Sequence, residues 1–301
     1  MATRTGETRH SFRTKLETAH GRLIPTPLVD VTPPGARGYS ILAKIEALAP
    51  GLSVKDRVAR HLVAGALSSW SAPQQPVLVE ASSGNTGVSV AMIAHEVGLR
   101  ARIFVPGGAG AARIARMRSF GAEVVLTPQE EGTGGARKRA VDSLRGQSRY
   151  LYLDQHGSEL NVDAHRRSTG PELLGQLAGR QPDFLVLAVG TGGTLLGLGE
   201  VLRDRFPSVG LTGAVPAKGS VIPGMRQAFE EGLPLHERLR GFDLVEVDAD
   251  EAARWASRIR QMTGIPTGPS SGAAMAAACR AGRRSGGLIV TLFPDHGFNY
   301  S

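Results

Sequence analysis

Short apolar runs of strand length alternate with helical patterns along most of the chain. The predicted strands are 40–45, 77–81, 102–105, 123–126, 150–154, 184–189, 211–215, 244–247 and 288–292. The predicted helices are 56–67, 87–97, 112–120, 134–144, 168–177, 193–205, 250–263 and 271–281. Regular alternation of apolar strands with helices predicts an α/β fold, with parallel sheets covered by helices on both faces.

The chain is long enough for one large domain or two modest ones, since it has 301 residues. No internal repeat and no low-complexity linker divides it. We therefore expect a second domain to be inserted within the first rather than attached at one end.

The composition is that of an ordinary globular protein, with 41% hydrophobic and 21% charged residues. The single cysteine, Cys279, excludes an internal disulfide framework and a cysteine-rich zinc site. No apolar run approaches the roughly 20 residues of a membrane helix. We predict no metal and no membrane partner.

The net charge of +8 suggests nucleic acid at first sight. However, the arginines are dispersed among acids, and aromatic residues make up only 5%, so we predict no nucleic-acid partner. The first 22 residues are basic and weakly resemble a transit peptide, but Glu7 and Glu17 favour a partly ordered arm. No secretory signal is visible, and we expect a cytoplasmic protein.

A glycine-rich loop, Gly190-Thr191-Gly192-Gly193-Thr194, follows an apolar strand and opens a helix. Glycines there let backbone N–H groups face an anion, and the helix N-terminus adds a favourable dipole. This pattern predicts a phosphate site. It differs from the dinucleotide-binding motif, because the third glycine would fall on Leu195. A tight strand-to-helix turn is the structural alternative.

Three further segments carry candidate chemistry. The loop 82–87, Ser-Ser-Gly-Asn-Thr-Gly, is rich in donors and suits a carboxylate or phenolic oxygen, although it could simply cap a helix. Lys55 stands at a predicted helix start, where the positive field lowers the pKa of a lysine as imine chemistry requires, unless it is a surface lysine. The segment 268–274 permits close approach of a ring or of another helix.

The order of these four segments resembles the fold-type-II pyridoxal-phosphate enzymes and, among them, the cysteine synthase (O-acetylserine sulfhydrylase) family. The likeness runs from about Pro25 to Ser301. Its motifs are Ser-x-Lys-Asp-Arg at 53–57, Ser-Gly-Asn-Thr-Gly at 83–87, Gly-Thr-Gly-Gly-Thr at 190–194 and the serine at 270. Gln155, Asn161 and His165 keep the family's spacing before Thr-Gly-Pro-Glu at 169–172.

The resemblance implies a two-domain architecture, with a large cofactor-anchoring domain of residues 1–46 plus 165–301 and a small inserted domain of 47–164. It implies pyridoxal 5′-phosphate as cofactor, a small-molecule amino-acid substrate with a nucleophile, and a homodimer. The implied catalytic residue is Lys55, which also binds the cofactor. The other implied cofactor-binding residues are Asn85, Gly190, Thr191, Gly192, Gly193, Thr194 and Ser270. The implied substrate-binding residues are Ser82, Ser83, Thr86, Gln155 and Arg226.

The segment Ile222-Pro223-Gly224-Met225-Arg226 resembles the B-type cysteine synthases, in which an arginine near the site mouth favours anionic or bulkier partners. The sequence departs from the family's pattern at His156-Gly157 and near the C-terminus. The implied reaction is β-replacement on an activated L-serine, O-acetylserine or O-phosphoserine, with a sulfur nucleophile. The alternatives are an amine nucleophile, elimination to a keto acid and ammonia, or a non-catalytic protein, against which the intact Lys55 argues.

Overall fold

The computed structural model describes residues 13–15, 17, 25–71, 74–230 and 233–300. Most of the basic N-terminal arm lies outside these residues. The chain divides into two compact units, the first built on Lys55–Leu160 and the second on Pro25–Val54 and Asn161–Ser301.

The strands are β1 (Leu28–Asp30), β2 (Tyr39–Ile45), β3 (Val77–Ala81), β4 (Arg100–Pro106), β5 (Glu123–Thr127), β6 (Tyr150–Tyr152), β7 (Phe184–Ala188), β8 (Gly210–Pro216), β9 (Asp243–Val247) and β10 (Gly287–Phe293). The helices are α1 (Lys55–Ser69), α2 (Asn85–Glu96), α3 (Ala111–Ser119), α4 (Gly132–Asp142), α5 (Glu159–Ala164), α6 (Gly170–Leu177), α7 (Gly193–Arg205), α8 (Pro234–Glu237), α9 (Ala249–Thr263) and α10 (Pro269–Ser285). A π-helical turn, His165–Thr169, joins α5 to α6.

The first unit contains a four-stranded parallel sheet in the order β5-β4-β3-β6. Helix α4 packs on β3 and β4 through Ala136 and Ala140, against Val79, Ala81 and Phe104. Helix α2 packs closely on β4 at Gly87. A Cβ at this position would lie only 3.1 Å from Ile103 Cγ2. The carboxyl ends of β3 and β6 share one edge of this sheet, which is where parallel α/β sheets place their ligands.

The second unit contains a six-stranded sheet in the order β1-β2-β10-β7-β8-β9, parallel except for β1. The alanine-rich α10 and the helix α9 contribute to one core cluster with β2 and β10. Leucines of α6 and α7 form a second cluster with β7 and β8. Burial on both faces explains the continuous apolar sequence of β7.

The predicted α/β fold with parallel, helix-covered sheets is confirmed, and each predicted strand and helix matches an observed element to within a few residues. The short elements β1, α5 and α8 and the π-helical turn were not predicted. The predicted helix 168–177 was wrong at its start, since 168–169 belong to the π-helical turn. These elements have three to six residues, too few for a periodic pattern to show.

Candidate active site

Lys55 is the first residue of α1 and is partly buried. The two residues before it are held by the second unit: Val54 N–H donates to the carbonyl of Pro294 at 2.8 Å, and Ser53 pairs with Asp295. Helix α1 thus begins where a short extended segment leaves the second unit.

The loop after β3 contains Ser82 and Ser83 and ends at Asn85, the first residue of α2. Gly84 N–H donates to Ser82 Oγ at 3.2 Å, which shapes the turn. In the first turn of α2 the backbone N–H groups have no intrahelical acceptor, so they are donors for an anion.

A buried hydrogen bond connects the first turn of α1 with the second turn of α2. Ser89 Oγ donates to Asp56 Oδ1 at 2.6 Å. Asp56 follows Lys55 directly, and Ser89 lies one turn after Asn85. The predicted lysine and the predicted polar loop are therefore part of one packed arrangement in the first unit.

Gln155 and Thr86, 69 positions apart, are in contact. Thr86 Oγ1 donates to Gln155 Oε1 at 2.5 Å, and both residues are buried. Gln155 Nε2 donates to the carbonyl of Ala81 at 3.4 Å. The structure thus brings together Thr86 and Gln155, two of the four residues that the sequence assigned to a substrate carboxylate, beyond the carboxyl ends of β3 and β6.

Glu80 is a residue of this region that sequence reasoning missed. It is fully buried in β3, and its carboxyl oxygens accept hydrogen bonds from the backbone N–H groups of Ala81 and Gln155. An acid inside an otherwise apolar strand was the available signal.

The glycine-rich loop 190–194 joins β7 to α7, as predicted. Gly192 has φ of 91°, a left-handed conformation that favours glycine. A Cβ at Gly190 would lie 2.7 Å from the carbonyl oxygen of Gly224, and one at Gly193 would overlap Asn161 Oδ1. The close packing behind the loop requires glycine at these positions.

Both threonines of this loop are held by buried side chains near the π-helical turn. Asn161 Nδ2 donates to Thr191 Oγ1 at 2.9 Å. The His165 ring lies between two hydroxyls, with Nε2 3.2 Å from Thr194 Oγ1 and Nδ1 3.0 Å from Thr169 Oγ1. Asn161 and His165, noted in the sequence for their spacing only, thus position the loop. A second missed residue, His236 of α8, also contacts it.

Arg226 and Ser270 both belong to the second unit. The Arg226 backbone N–H donates to the carbonyl of Val189 at 3.0 Å, which places Arg226 beside the glycine-rich loop. Its guanidinium lies 3.4 Å from the Glu230 carboxylate. Ser270 is buried in the first turn of α10, a helix that packs along β7.

The residues present fit pyridoxal phosphate. The glycine cradle and the start of α7 suit a dianionic phosphate, and Lys55 supplies the amine that the cofactor's aldehyde requires. A neutral hydroxyl, Ser270, suits a ring nitrogen. Among the described residues, no cluster of metal-ligating side chains occurs. No helix among them is long and apolar enough to cross a membrane.

Comparisons with known proteins agree that pyridoxal phosphate is the cofactor. The model of the family "pyridoxal-phosphate dependent enzyme" matches residues 21–295. Cysteine synthase B of Pseudomonas aeruginosa is 37% identical over 278 residues, covering 91% of this chain and 92% of that protein. The structure of O-ureido-L-serine synthase is similar with a TM-score of 0.85 and 29% identity, over 95% of this chain and 92% of that one. A hydrogen sulfide-producing enzyme of Fusobacterium nucleatum has a TM-score of 0.85 and 27% identity, with coverages of 92% and 96%.

Proposed function

The chain belongs to the pyridoxal-phosphate dependent enzymes and, among them, to the cysteine synthase family, and on this basis we propose that it catalyses β-replacement on an activated L-serine with a sulfur nucleophile. Its fold-type-II architecture and its cofactor, both predicted from the sequence, are thereby confirmed. The proposed product is L-cysteine or an S-substituted analogue. The proposed donor is O-acetyl-L-serine or O-phospho-L-serine.

The observation that carries this proposal is the contact between Thr86 and Gln155 beside the polar loop of the first unit. Ser82, Ser83, Thr86 and the first turn of α2 supply hydroxyl and backbone N–H donors at this loop. Such a set suits a carboxylate held by neutral hydrogen bonds. An α-amino acid bound in this way has its carboxylate fixed and its α-carbon in a defined orientation.

The remaining roles follow from the chemistry of each side chain. Pyridoxal phosphate, when bound, supplies an electron sink for charge that develops on the α-carbon. We assign the covalent attachment to Lys55, the phosphate to the backbone of 190–194, the 3′ oxygen to Asn85 and the ring nitrogen to Ser270. As a neutral amine, Lys55 would accept the substrate's α-proton at Nζ.

A neutral hydroxyl at the ring nitrogen also bears on the reaction type. Ser270 does not force protonation of that nitrogen as a carboxylate would, so less charge is withdrawn from the α-carbon. This favours departure of a β-substituent over transamination.

The proposal further includes a homodimer in the cytoplasm, as the family resemblance implies. Light scattering should then give twice the chain mass of 31.7 kDa.

Product analysis tests the function directly. Purified holoenzyme is incubated with O-acetyl-L-serine, O-phospho-L-serine or L-serine, each with and without sulfide, and cysteine, pyruvate and ammonia are measured. Sulfide-dependent cysteine formation supports the proposal, with Lys55→Ala as the inactive control. Equal pyruvate release with and without sulfide would identify an eliminase, and a product formed only with an amine nucleophile would identify the other alternative.

A further inference from the structure

Glu80 is a carboxyl group enclosed at the edge of the first unit's sheet where the polar loop begins. It is 0% exposed. One oxygen accepts from the N–H of Ala81 at 2.8 Å, and the other accepts from the N–H of Gln155 at 3.2 Å. Strand β6 ends at Tyr152. Beyond that end, the Gln155 N–H is bonded to the side chain of Glu80 on β3 and not to a backbone carbonyl of β3.

The groups around Glu80 come from three elements of the first unit. They are Tyr152 on β6, Asp154 in the segment after it, and Arg137 on α4. Burial raises the pKa of Glu80 to about 8; the two backbone N–H groups and Arg137 act in the opposite direction, and the Asp154 charge adds to the rise. Burial also raises the pKa of Tyr152, so its phenol remains neutral.

A short chain of hydrogen bonds leads from Glu80 to the proposed substrate site. The Gln155 backbone is held by Glu80, and the Gln155 side chain is bonded to Thr86. A negative charge on Glu80 would repel an anionic substrate carboxylate held at Thr86 and Gln155, and because Glu80 is 0% exposed, bulk solvent does not reach it to screen the repulsion. A protonated Glu80 keeps the position of Gln155 without that repulsion.

We propose that Glu80 is a positioning residue that holds Gln155 for the substrate carboxylate, and that the substrate binds to the form of the enzyme in which Glu80 is protonated. This inference rests on the proposed function only in placing a substrate carboxylate at Thr86 and Gln155. Loss of the proton from Glu80 then limits substrate binding at alkaline pH.

The test is the pH dependence of amino-acid binding in the holoenzyme, followed by the cofactor's absorbance with O-acetyl-L-serine and L-serine. If binding requires a neutral Glu80, the apparent Kd of the wild type should rise roughly tenfold between pH 7 and pH 9, beyond any change caused by the substrate amine. Glu80→Gln, which is uncharged at every pH and can still accept from the Gln155 N–H through Oε1, should lose this additional rise. Glu123→Gln, the same change at an exposed position on β5, should keep it.

Two further readouts separate a positioning role from a structural one. Glu80→Ala, which removes the carboxyl acceptor of the Gln155 N–H, should weaken binding at both pH values, with a larger effect on KM than on kcat.

The second readout is stability. Because the pKa of Glu80 is raised in the folded state, the folded chain retains a proton that the unfolded chain loses above about pH 4.5. The stability of the wild type relative to Glu80→Gln should therefore fall as the pH rises to about 8 and level off above it.

These measurements do not depend on which nucleophile the enzyme uses. If amino acids bind but no cysteine forms, the proposed reaction fails and the role of Glu80 is still decided. If the pH 9 to pH 7 ratio of Kd in Glu80→Gln stays within twofold of the wild-type ratio, the role of Glu80 proposed above is wrong.

Discussion

His236 Nε2 donates a hydrogen bond of 2.7 Å to the carbonyl oxygen of Gly190, the first residue of the glycine-rich loop. A carbonyl oxygen only accepts, so this ring nitrogen carries the proton. In a trans peptide the C=O and the next N–H point in opposite directions. With the Gly190 carbonyl held toward His236, the N–H of Thr191 therefore points away from the histidine.

Substitution of His236 by alanine should weaken binding of the cofactor through its phosphate. The change leaves the Gly190 carbonyl without its buried donor, at a cost of roughly 1–3 kcal/mol, or about 5- to 150-fold in affinity. Titration of the apoprotein should show this loss with pyridoxal phosphate and a much smaller one with pyridoxal, which has no phosphate. The comparison of the two ligands separates loop geometry from general loss of stability.

Controls for this prediction are available in the chain. His95→Ala makes the same chemical change at an exposed position and should leave both affinities unchanged. His236→Gln retains an N–H donor and should recover part of the affinity. Equal losses for pyridoxal phosphate and pyridoxal would show that His236 supports the fold and not the phosphate loop.

A single methyl group at Gly193 should also reduce cofactor affinity. The added Cβ would overlap Asn161 Oδ1 and push that side chain from Thr191 Oγ1. We expect a loss of about 5- to 150-fold in affinity for pyridoxal phosphate, from overpacking of about 1–3 kcal/mol. Gly175→Ala is the matched control, since nothing lies within 4 Å of its Cβ and alanine favours the helix. Comparable affinity of both variants would contradict this role for the cradle.

Borohydride reduction of the holoenzyme followed by peptide mapping should label Lys55. The structure supplies a reason why Lys44 should not react, because its Nζ is buried and donates to Glu172 Oε1, to Gln176 Oε1 and to the carbonyl of Thr26. A lysine nitrogen that donates three hydrogen bonds has no lone pair directed at an aldehyde. Lys218 is exposed. A label on Lys44 or Lys218 would overturn the assignment of the cofactor lysine.

The sequence predicted the loops of this site better than it predicted the side chains behind them. Glycine, serine and asparagine between a strand and a helix have a local physical meaning, so the segments at 82–87 and 190–194 could be found from order and spacing. The contacts of Glu80 with Gln155 and of His236 with Gly190 join residues 75 and 46 positions apart. Such contacts depend on strand order and packing, which local patterns do not encode.

Arg226 should discriminate between anionic and neutral donors. Its backbone is fixed beside the glycine-rich loop, and its guanidinium makes a partly exposed ion pair with Glu230. Such pairs contribute only about 0–1 kcal/mol, so a phosphate or carboxylate can replace Glu230 as the partner. Arg226→Ala should lower kcat/KM for O-phospho-L-serine relative to O-acetyl-L-serine by roughly 5- to 150-fold, corresponding to about 1–3 kcal/mol. Glu230→Gln removes the ion pair but keeps the guanidinium, and it should leave the ratio unchanged or raise it. A ratio in Arg226→Ala within about twofold of the wild type, or roughly 0.4 kcal/mol, would show that Arg226 does not select the donor.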